Sequence, residues 1–264
     1  MISIVFASCL VLGALVGFLA GLLGIGGGLI IVPALVYLLA QLGISIEVIM
    51  PMALATSLAT IVVTSASAAF AHHKNENIPW QLTKPLMVVV AIGALIGAFI
   101  ADLLSAKALT TFFASTVILL ATYMLFSIRS TSTRSMPSNK ILQFIGLITG
   151  TIASLMGIAG GAILVPVLSY FGLALRNSIG VATACGAMVA LFGSAGYIIT
   201  GMQQTGLPQW SLGYIYLPAL LGLVLTSSFF APMGVKLATK LPVTTLKKIF
   251  ATFLIIVAIK MMTM

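Results

Sequence analysis

Apolar residues run along this chain in ten blocks separated by glycine, proline and short polar stretches. The first five cover about 3–23, 29–42, 48–71, 85–101 and 107–128. The second five cover about 141–156, 162–172, 178–200, 212–235 and 247–263. Most of these blocks approach the roughly 20 apolar residues that carry a helix across about 30 Å of hydrocarbon. The alternating pattern of a membrane barrel is absent, and an isolated strand cannot satisfy its backbone in lipid. All ten blocks are therefore predicted to be helices.

The pattern repeats. Gly24-Ile-Gly-Gly-Gly-Leu-Ile-Ile-Val-Pro-Ala-Leu35 returns 133 residues later as Gly157-Ile-Ala-Gly-Gly-Ala-Ile-Leu-Val-Pro-Val-Leu168, with eight of twelve positions identical. Further landmarks keep step. Ala55-Thr56-Ser57 matches Ala182-Thr183-Ala184, Ser67-Ala68 matches Ser194-Ala195, and Ile78-Pro79-Trp80 resembles Leu207-Pro208. Gly93 matches Gly222, and Phe113-Ala114 matches Phe250-Ala251. The chain divides into a first transmembrane repeat, 1–128, a cytoplasmic connector, 129–140, and a second transmembrane repeat, 141–264. Glycine-interrupted hydrophobic segments at corresponding places in two halves are a pointer to a transport site.

Composition removes the soluble alternatives. Of 264 residues, 61% are hydrophobic and 6% charged, against about 25% charged in a soluble domain. Residues 1–46 and 177–235 hold no charged side chain. The net charge of +9 does not indicate nucleic acid, because the cations sit at the ends of apolar blocks, as cytoplasmic flanks do. The N-terminal block lacks a basic leader and aligns with Leu142–Met156, so it belongs to the fold. Cys9 and Cys185 form neither a CxxC nor a metal-ligand spacing.

Charge also assigns sides. The loop after the third block carries His72, His73, Lys74 and Lys84, whereas its counterpart Gly201–Ser211 is uncharged. After the fourth block the bias reverses: Asp102 and Lys107 face Lys236, Lys240, Lys247 and Lys248. By the positive-inside rule, equivalent loops lie on opposite sides. The fold class expected is an all-α polytopic membrane protein of two inverted-topology repeats, with glycine-broken helices meeting near the midplane. Both termini and Gly201–Ser211 then lie outside, and the connector with Arg129, Arg134 and Lys140 lies inside. Five crossings per repeat, or three plus a re-entrant hairpin, both satisfy this.

Glycine is expensive inside a helix, about 1 kcal/mol against alanine, while proline is tolerated early in one. Each motif therefore reads as a helix, a break and a new helix starting near Gly27 and Gly160, with Pro33 and Pro166 in the new helices. The first N–H groups of such a helix have no internal partner, and its dipole favours a negative one. Two such ends make a cage for an anion. Candidate binding residues are Gly24, Gly26, Gly27 and Gly28 with Thr56 and Ser57 in the first repeat. Gly157, Gly160, Gly161 and Thr183 are their counterparts in the second. Two plainer readings stand beside this one. Glycine and serine let membrane helices pack closely, and a helical hydroxyl often bonds the carbonyl four residues back. His72 and His73 read as an interfacial helix end rather than a metal site. Glu47, Glu76 and Asp102, the three acids, all sit at helix ends, so no mid-membrane carboxylate stands ready to carry a proton.

Gly21-Leu-Leu-Gly-Ile-Gly-Gly-Gly-Leu-Ile-Ile-Val-Pro33 resembles the glycine motif of the sulfite exporter TauE/SafE family of bacterial membrane transporters. Ala55-Thr-Ser-Leu-Ala59 through Thr64-Ser65 to His72, Ile78-Pro79-Trp80 and the second copy Gly157–Pro166 extend the resemblance over essentially the whole chain. The second copy departs at Ala159 and Ala184. The resemblance implies multi-pass residence in a bacterial inner (plasma) membrane. It also implies export or uptake of small sulfur-containing anions such as sulfite, thiosulfate or organosulfonates. The function expected is secondary transport, most simply export, with no catalysis, no cofactor and no metal. An anion channel, or a membrane thiol-redox or assembly protein using Cys9 and Cys185, are the alternatives. The expected partners are a small inorganic or organic anion and the lipid bilayer, without nucleic acid. A homo-oligomer is compatible with the composition.

Overall fold

A computed structural model describes residues 2–23, 27–126, 136–238 and 243–262. Ten helices appear among them. In the first half these are α1 Ile2–Leu23, α2 Gly28–Gln41, α3 Ile46–Lys74, α4 Trp80–Leu103 and α5 Ala106–Phe126. In the second half they are α6 Asn139–Leu155, α7 Gly161–Tyr170, α8 Leu175–Gly201, α9 Leu217–Ala238 and α10 Val243–Met262. Among the described residues, α3, α4, α8 and the Ala106–Tyr123 stretch of α5 are long and apolar enough to cross a membrane. The chain is an all-α polytopic membrane protein.

Two outcomes differ from the sequence pattern. The block 212–235 does not begin as a helix. Strands β1 Ser211–Leu212 and β2 Ile215–Tyr216 form an antiparallel hairpin pairing Ser211 with Tyr216 and Leu212 with Ile215. The first residue of its two-residue turn is Gly213, at φ +55°, where a tight hairpin needs left-handed backbone. Apolar side chains alone do not separate such a hairpin from helix. Second, α2 has 14 residues and α7 has 10, about 21 and 15 Å at 1.5 Å per residue. Neither is long enough to cross the hydrocarbon.

Helix α3 buries hydroxyls together with apolar side chains. Thr56, Ser57 and Thr60 are buried while Phe70 is 70% exposed and Val63 is 45% exposed. In lipid, apolar side chains need no burial and hydroxyls do.

Helices of the two halves exchange partners: α1 lies along α9, α6 along α4, α3 against α8 and α5 against α10. Glycines make this possible. Gly13 and Gly17 of α1 press on Leu223, Thr226 and Ser227 of α9, and Gly222 presses back on Phe6 and Cys9. Gly146 and Gly150 of α6 meet Leu86, Val90 and Ala94 of α4, while Gly93 and Gly97 meet Leu147, Thr151 and Ser154. In both pairs the residue numbers rise together, so α1 runs parallel to α9 and α4 parallel to α6. The Tyr214 hydroxyl, in the hairpin just before α9, donates to Asp102 at the far end of α4 (2.9 Å). The hairpin and the 75–79 loop, which follow α8 and α3 at equivalent places in the repeat, therefore stand at opposite ends of α4.

These crossings have no room for a methyl group. A Cβ on Gly93 would land on the Leu147 carbonyl oxygen, and one on Gly150 on the Val90 carbonyl oxygen. Backbone cannot swing away as a side-chain tip can, so we expect Gly93→Ala and Gly150→Ala to destabilise by about 1–3 kcal/mol each, the usual size of overpacking. Thermal unfolding of the detergent-purified protein measures this. Unchanged melting temperatures would mean that these helices do not cross at this distance.

Candidate functional site

The second break shows how the sequence interrupts a helix without leaving its end open. After α6, the N–H of Gly157 bonds the Ser154 carbonyl (3.1 Å) and that of Ile158 the Ala153 carbonyl (3.0 Å). This is the paired C-terminal closure that requires a left-handed residue, ordinarily glycine, just past the helix. Gly157 supplies it at φ +63°. Gly160, at φ +74°, turns the chain into α7. Its carbonyl accepts from Ile163 (3.1 Å) and Leu164 (2.9 Å). The first copy opens α2 in the same way, with the Gly27 carbonyl accepting from Ile30 (3.0 Å) and Ile31 (2.9 Å). The copies differ in backbone, since Gly27 is right-handed at φ −68°.

The breaks touch. A Cβ added to Gly28 would stand 2.5 Å from the Gly157 carbonyl oxygen and 3.0 Å from the Ile158 Cα. Glycine at 28 lets the start of α2 lie on the loop between α6 and α7. Ser57 of α3 donates to the same Gly157 carbonyl (2.7 Å). Three distant segments thus converge at residues 27–28, 57 and 157–161.

The candidate residues now take separate parts. Gly24 and Gly26 lie outside the described residues. Gly27 and Gly28 are buried. Both backbone polar groups of Gly157 are engaged by protein. Ser57 has spent its proton on that glycine. Thr183 has spent its own on the Ile179 (3.0 Å) and Gly180 (2.9 Å) carbonyls of its own helix. Thr56 accepts from the Tyr216 N–H (3.0 Å), which ties α3 to the hairpin. These three hydroxyls hold the scaffold. Gly160, Gly161 and Ala162 are different: their N–H groups, in the first turn of α7, have no hydrogen-bond acceptor among the described residues. Gly160 is buried and Gly161 half-buried. A Cβ on Gly161 would meet nothing within 4 Å. Open space thus borders a row of orphan donors.

Other features went unread in the sequence. The hydroxyl of Ser154, fully buried three residues before the break, has no partner among the described residues. Its neighbourhood, against Gly193 and Gly97, is a tertiary property that local pattern does not disclose. The hairpin contact to Thr56 is likewise invisible in sequence. A cavity of about 260 Å³ lies beside α2, walled by Leu12, Leu15, Ile30, Pro33 and Val257. At its rim Lys260 stands 5.1 Å from the Tyr37 ring centroid. His72 bonds Asn77 (3.3 Å) and His73 bonds Trp80 (3.2 Å), so both tie down the 75–80 segment. Cys9 and Cys185 are free and buried, which withholds both thiols from redox partners.

The profile of the family described as Sulfite exporter TauE/SafE matches residues 9–261. The chain belongs to the sulfite exporter TauE/SafE family. A "probable membrane transporter protein" of Haemophilus influenzae is 45% identical over 260 residues, covering 96% of each chain. A "probable membrane transporter protein" of Methanocaldococcus jannaschii is 25% identical over 88% of this chain and 86% of its own. One from Xylella fastidiosa is 26% identical over 94% of this chain and 91% of its own. No solved structure matches the chain. Family and relatives alike are described as transporters, and this TauE/SafE member is a multi-pass bacterial membrane protein.

The Ser57–Gly157 bond joins α3 to the break, so its removal has a defined effect. Ser57→Ala leaves a buried carbonyl without its donor, a loss of about 1–3 kcal/mol. We expect a lower unfolding temperature for Ser57→Ala and a much smaller change for Ser57→Thr, which keeps the hydroxyl. Equal losses from both would place the cause in packing rather than in the bond.

Proposed function

We propose that this TauE/SafE protein is a secondary transporter, and not an enzyme, that moves small sulfur-containing anions such as sulfite, thiosulfate or an organosulfonate outward across the inner membrane. The observation that carries this reading is the row of unpartnered N–H groups at Gly160, Gly161 and Ala162 beside open space. An unsatisfied buried amide costs about 1–3 kcal/mol. An anion with several oxygens satisfies such amides together, with the α7 dipole in its favour. Gly27 and Gly28, packed on the same loop, supply the second helix start.

The position of the two equivalent loops at opposite ends of α4 supports an inverted arrangement of two repeats. Movement of the interleaved helices around the touching breaks then exposes the site to each side in turn. With its acids at helix ends, the chain offers no mid-membrane proton carrier. The driving force is the anion gradient and the membrane potential, about 2.3 kcal/mol per charge at 100 mV, which favours anion exit from a cell negative inside.

Gly161→Ala tests the site without disturbing the fold, because its methyl group enters open space and the backbone is in an ordinary conformation. We expect normal unfolding temperature but at least about tenfold weaker binding of sulfite or thiosulfate in isothermal titration, since the methyl group blocks close approach to backbone. Wild-type affinity in this variant would remove α7 from the site. In proteoliposomes with potential and pH gradient set independently, potential alone should drive flux. Accumulation driven by a pH gradient alone, and lost in His72→Ala, would make the protein proton-coupled.

A further inference from the structure

We propose that the 211–216 hairpin is the gate on its side of the membrane, latched by Tyr214 on Asp102 and by Tyr216 on Thr56. This rests on reading the breaks as the transport site. The hairpin is not a surface loop. Tyr214, Ile215 and Tyr216 are each 4% exposed, although Trp210 and Leu212 beside them face outward. It enters the bundle against α3, α8 and α9. Gly201 and Gly213 give it room. A Cβ on Gly201 would land on the Tyr214 nitrogen, and one on Gly213 would lie 2.5 Å from the Ile198 carbonyl oxygen.

The latches are polar and few. The Tyr214 hydroxyl donates to Asp102 (2.9 Å), and burial followed by that same bond pushes its phenol up, so it stays the donor. The Tyr214 N–H bonds the Tyr197 carbonyl (3.3 Å), and the two rings meet edge to face at 6.3 Å. The Tyr216 N–H bonds Thr56 (3.0 Å). Thr56 precedes Ser57, whose hydroxyl holds the Gly157 carbonyl. One turn of α3 therefore links the hairpin directly to the break.

The opposite end is closed in a different manner. There the Asn77 carbonyl lies on Gly180 of α8, with Ile78 buried beside it. Gly180 sits one turn before Thr183, the counterpart of Thr56. Each loop thus seats on the same part of the other repeat's third helix. On the 75–79 side the seat is backbone on glycine with an apolar plug. On the hairpin side the glycine contacts at Gly201 and Gly213 are joined by side-chain hydrogen bonds to Asp102 and Thr56, which can exchange for bonds to water. The hairpin is the element that lifts when the site opens on its side, and Asp102, which carries no other assigned role, is its anchor.

The test reads access rather than transport. Full-length Gly161→Cys protein is reconstituted, and the rate of labelling by a membrane-impermeant sulfonated methanethiosulfonate is measured from the hairpin side. The wild type, with Cys9 and Cys185 buried, is the blank, and detergent-denatured protein is the control for thiol reactivity. We expect slow labelling of Gly161→Cys alone. Adding Tyr214→Phe or Thr56→Val should speed it by about tenfold each, the population shift one hydrogen bond commands. Adding Asp102→Asn, which keeps an acceptor oxygen, should change it little. Tethering Asp102→Cys to Tyr214→Cys with a short bifunctional methanethiosulfonate should stop sulfite flux until the tether is reduced. Fast labelling without any latch variant, or rates unmoved by both Tyr214→Phe and Thr56→Val, overturns the gate. Latch-sensitive labelling in a protein that neither binds nor moves sulfite or thiosulfate leaves the gate standing and removes the anion reading.

Discussion

In lipid a backbone amide has no water to turn to, and each unpaired one costs several kcal/mol. That constraint explains why this chain is nearly all helix, and it makes the two interruptions expensive. The second is built so that the cost falls in one place. The paired closure at Gly157 satisfies the end of α6, Ser57 takes the exposed carbonyl, and Gly160 starts α7 from a left-handed turn. Among the described residues, what remains without an acceptor is a short row of N–H groups at the start of α7. In the proposed reading, the transported anion completes that row.

The remaining architecture packs the two halves closely on one another. Helix pairs between the halves approach backbone to backbone through Gly13, Gly17, Gly93, Gly97, Gly146, Gly150 and Gly222. Without a hydrophobic drive between helices in lipid, close packing has to supply the attraction. Because α1 and α6 each pair with the other half's fourth helix, neither half is a separate body. Thr56, Ser57 and Thr60 of α3 face this interior and bond to protein, so α3 serves as the post on which both the break and the hairpin are hung.

Much of this was legible in the chain. The ten blocks mark ten helices because hydrophobic runs that long have few alternatives. The repeat located both breaks, and Gly27 and Gly160 stand where the new helices begin. The glycine identities were less informative than their positions. Gly157 and Gly160 are required for left-handed backbone, whereas Gly27 adopts an ordinary conformation despite its matched place. Ser57 and Thr183 look alike in a sequence. One holds a carbonyl a hundred residues away and the other its own helix, a difference that only tertiary packing decides. The hairpin is not legible as such because Leu212, Tyr214, Ile215 and Tyr216 continue the apolar run of the 212–235 block. Asp102 had no legible role because its partner lies over a hundred residues further on.

The exchange of helix partners also sets an order of assembly. Helix α6 emerges from the ribosome with α4 already made and docks at once. Helix α1 finds no such partner: between Leu23 and the start of α9 at Leu217 lie about two hundred residues, some 10–40 s of synthesis at roughly 5–20 residues per second. During that interval the stripe formed by Gly13 and Gly17 faces lipid, or whatever insertion factor shelters it. Helix α1 is therefore among the last to reach its native neighbour, and its packing is settled late, when α9 arrives.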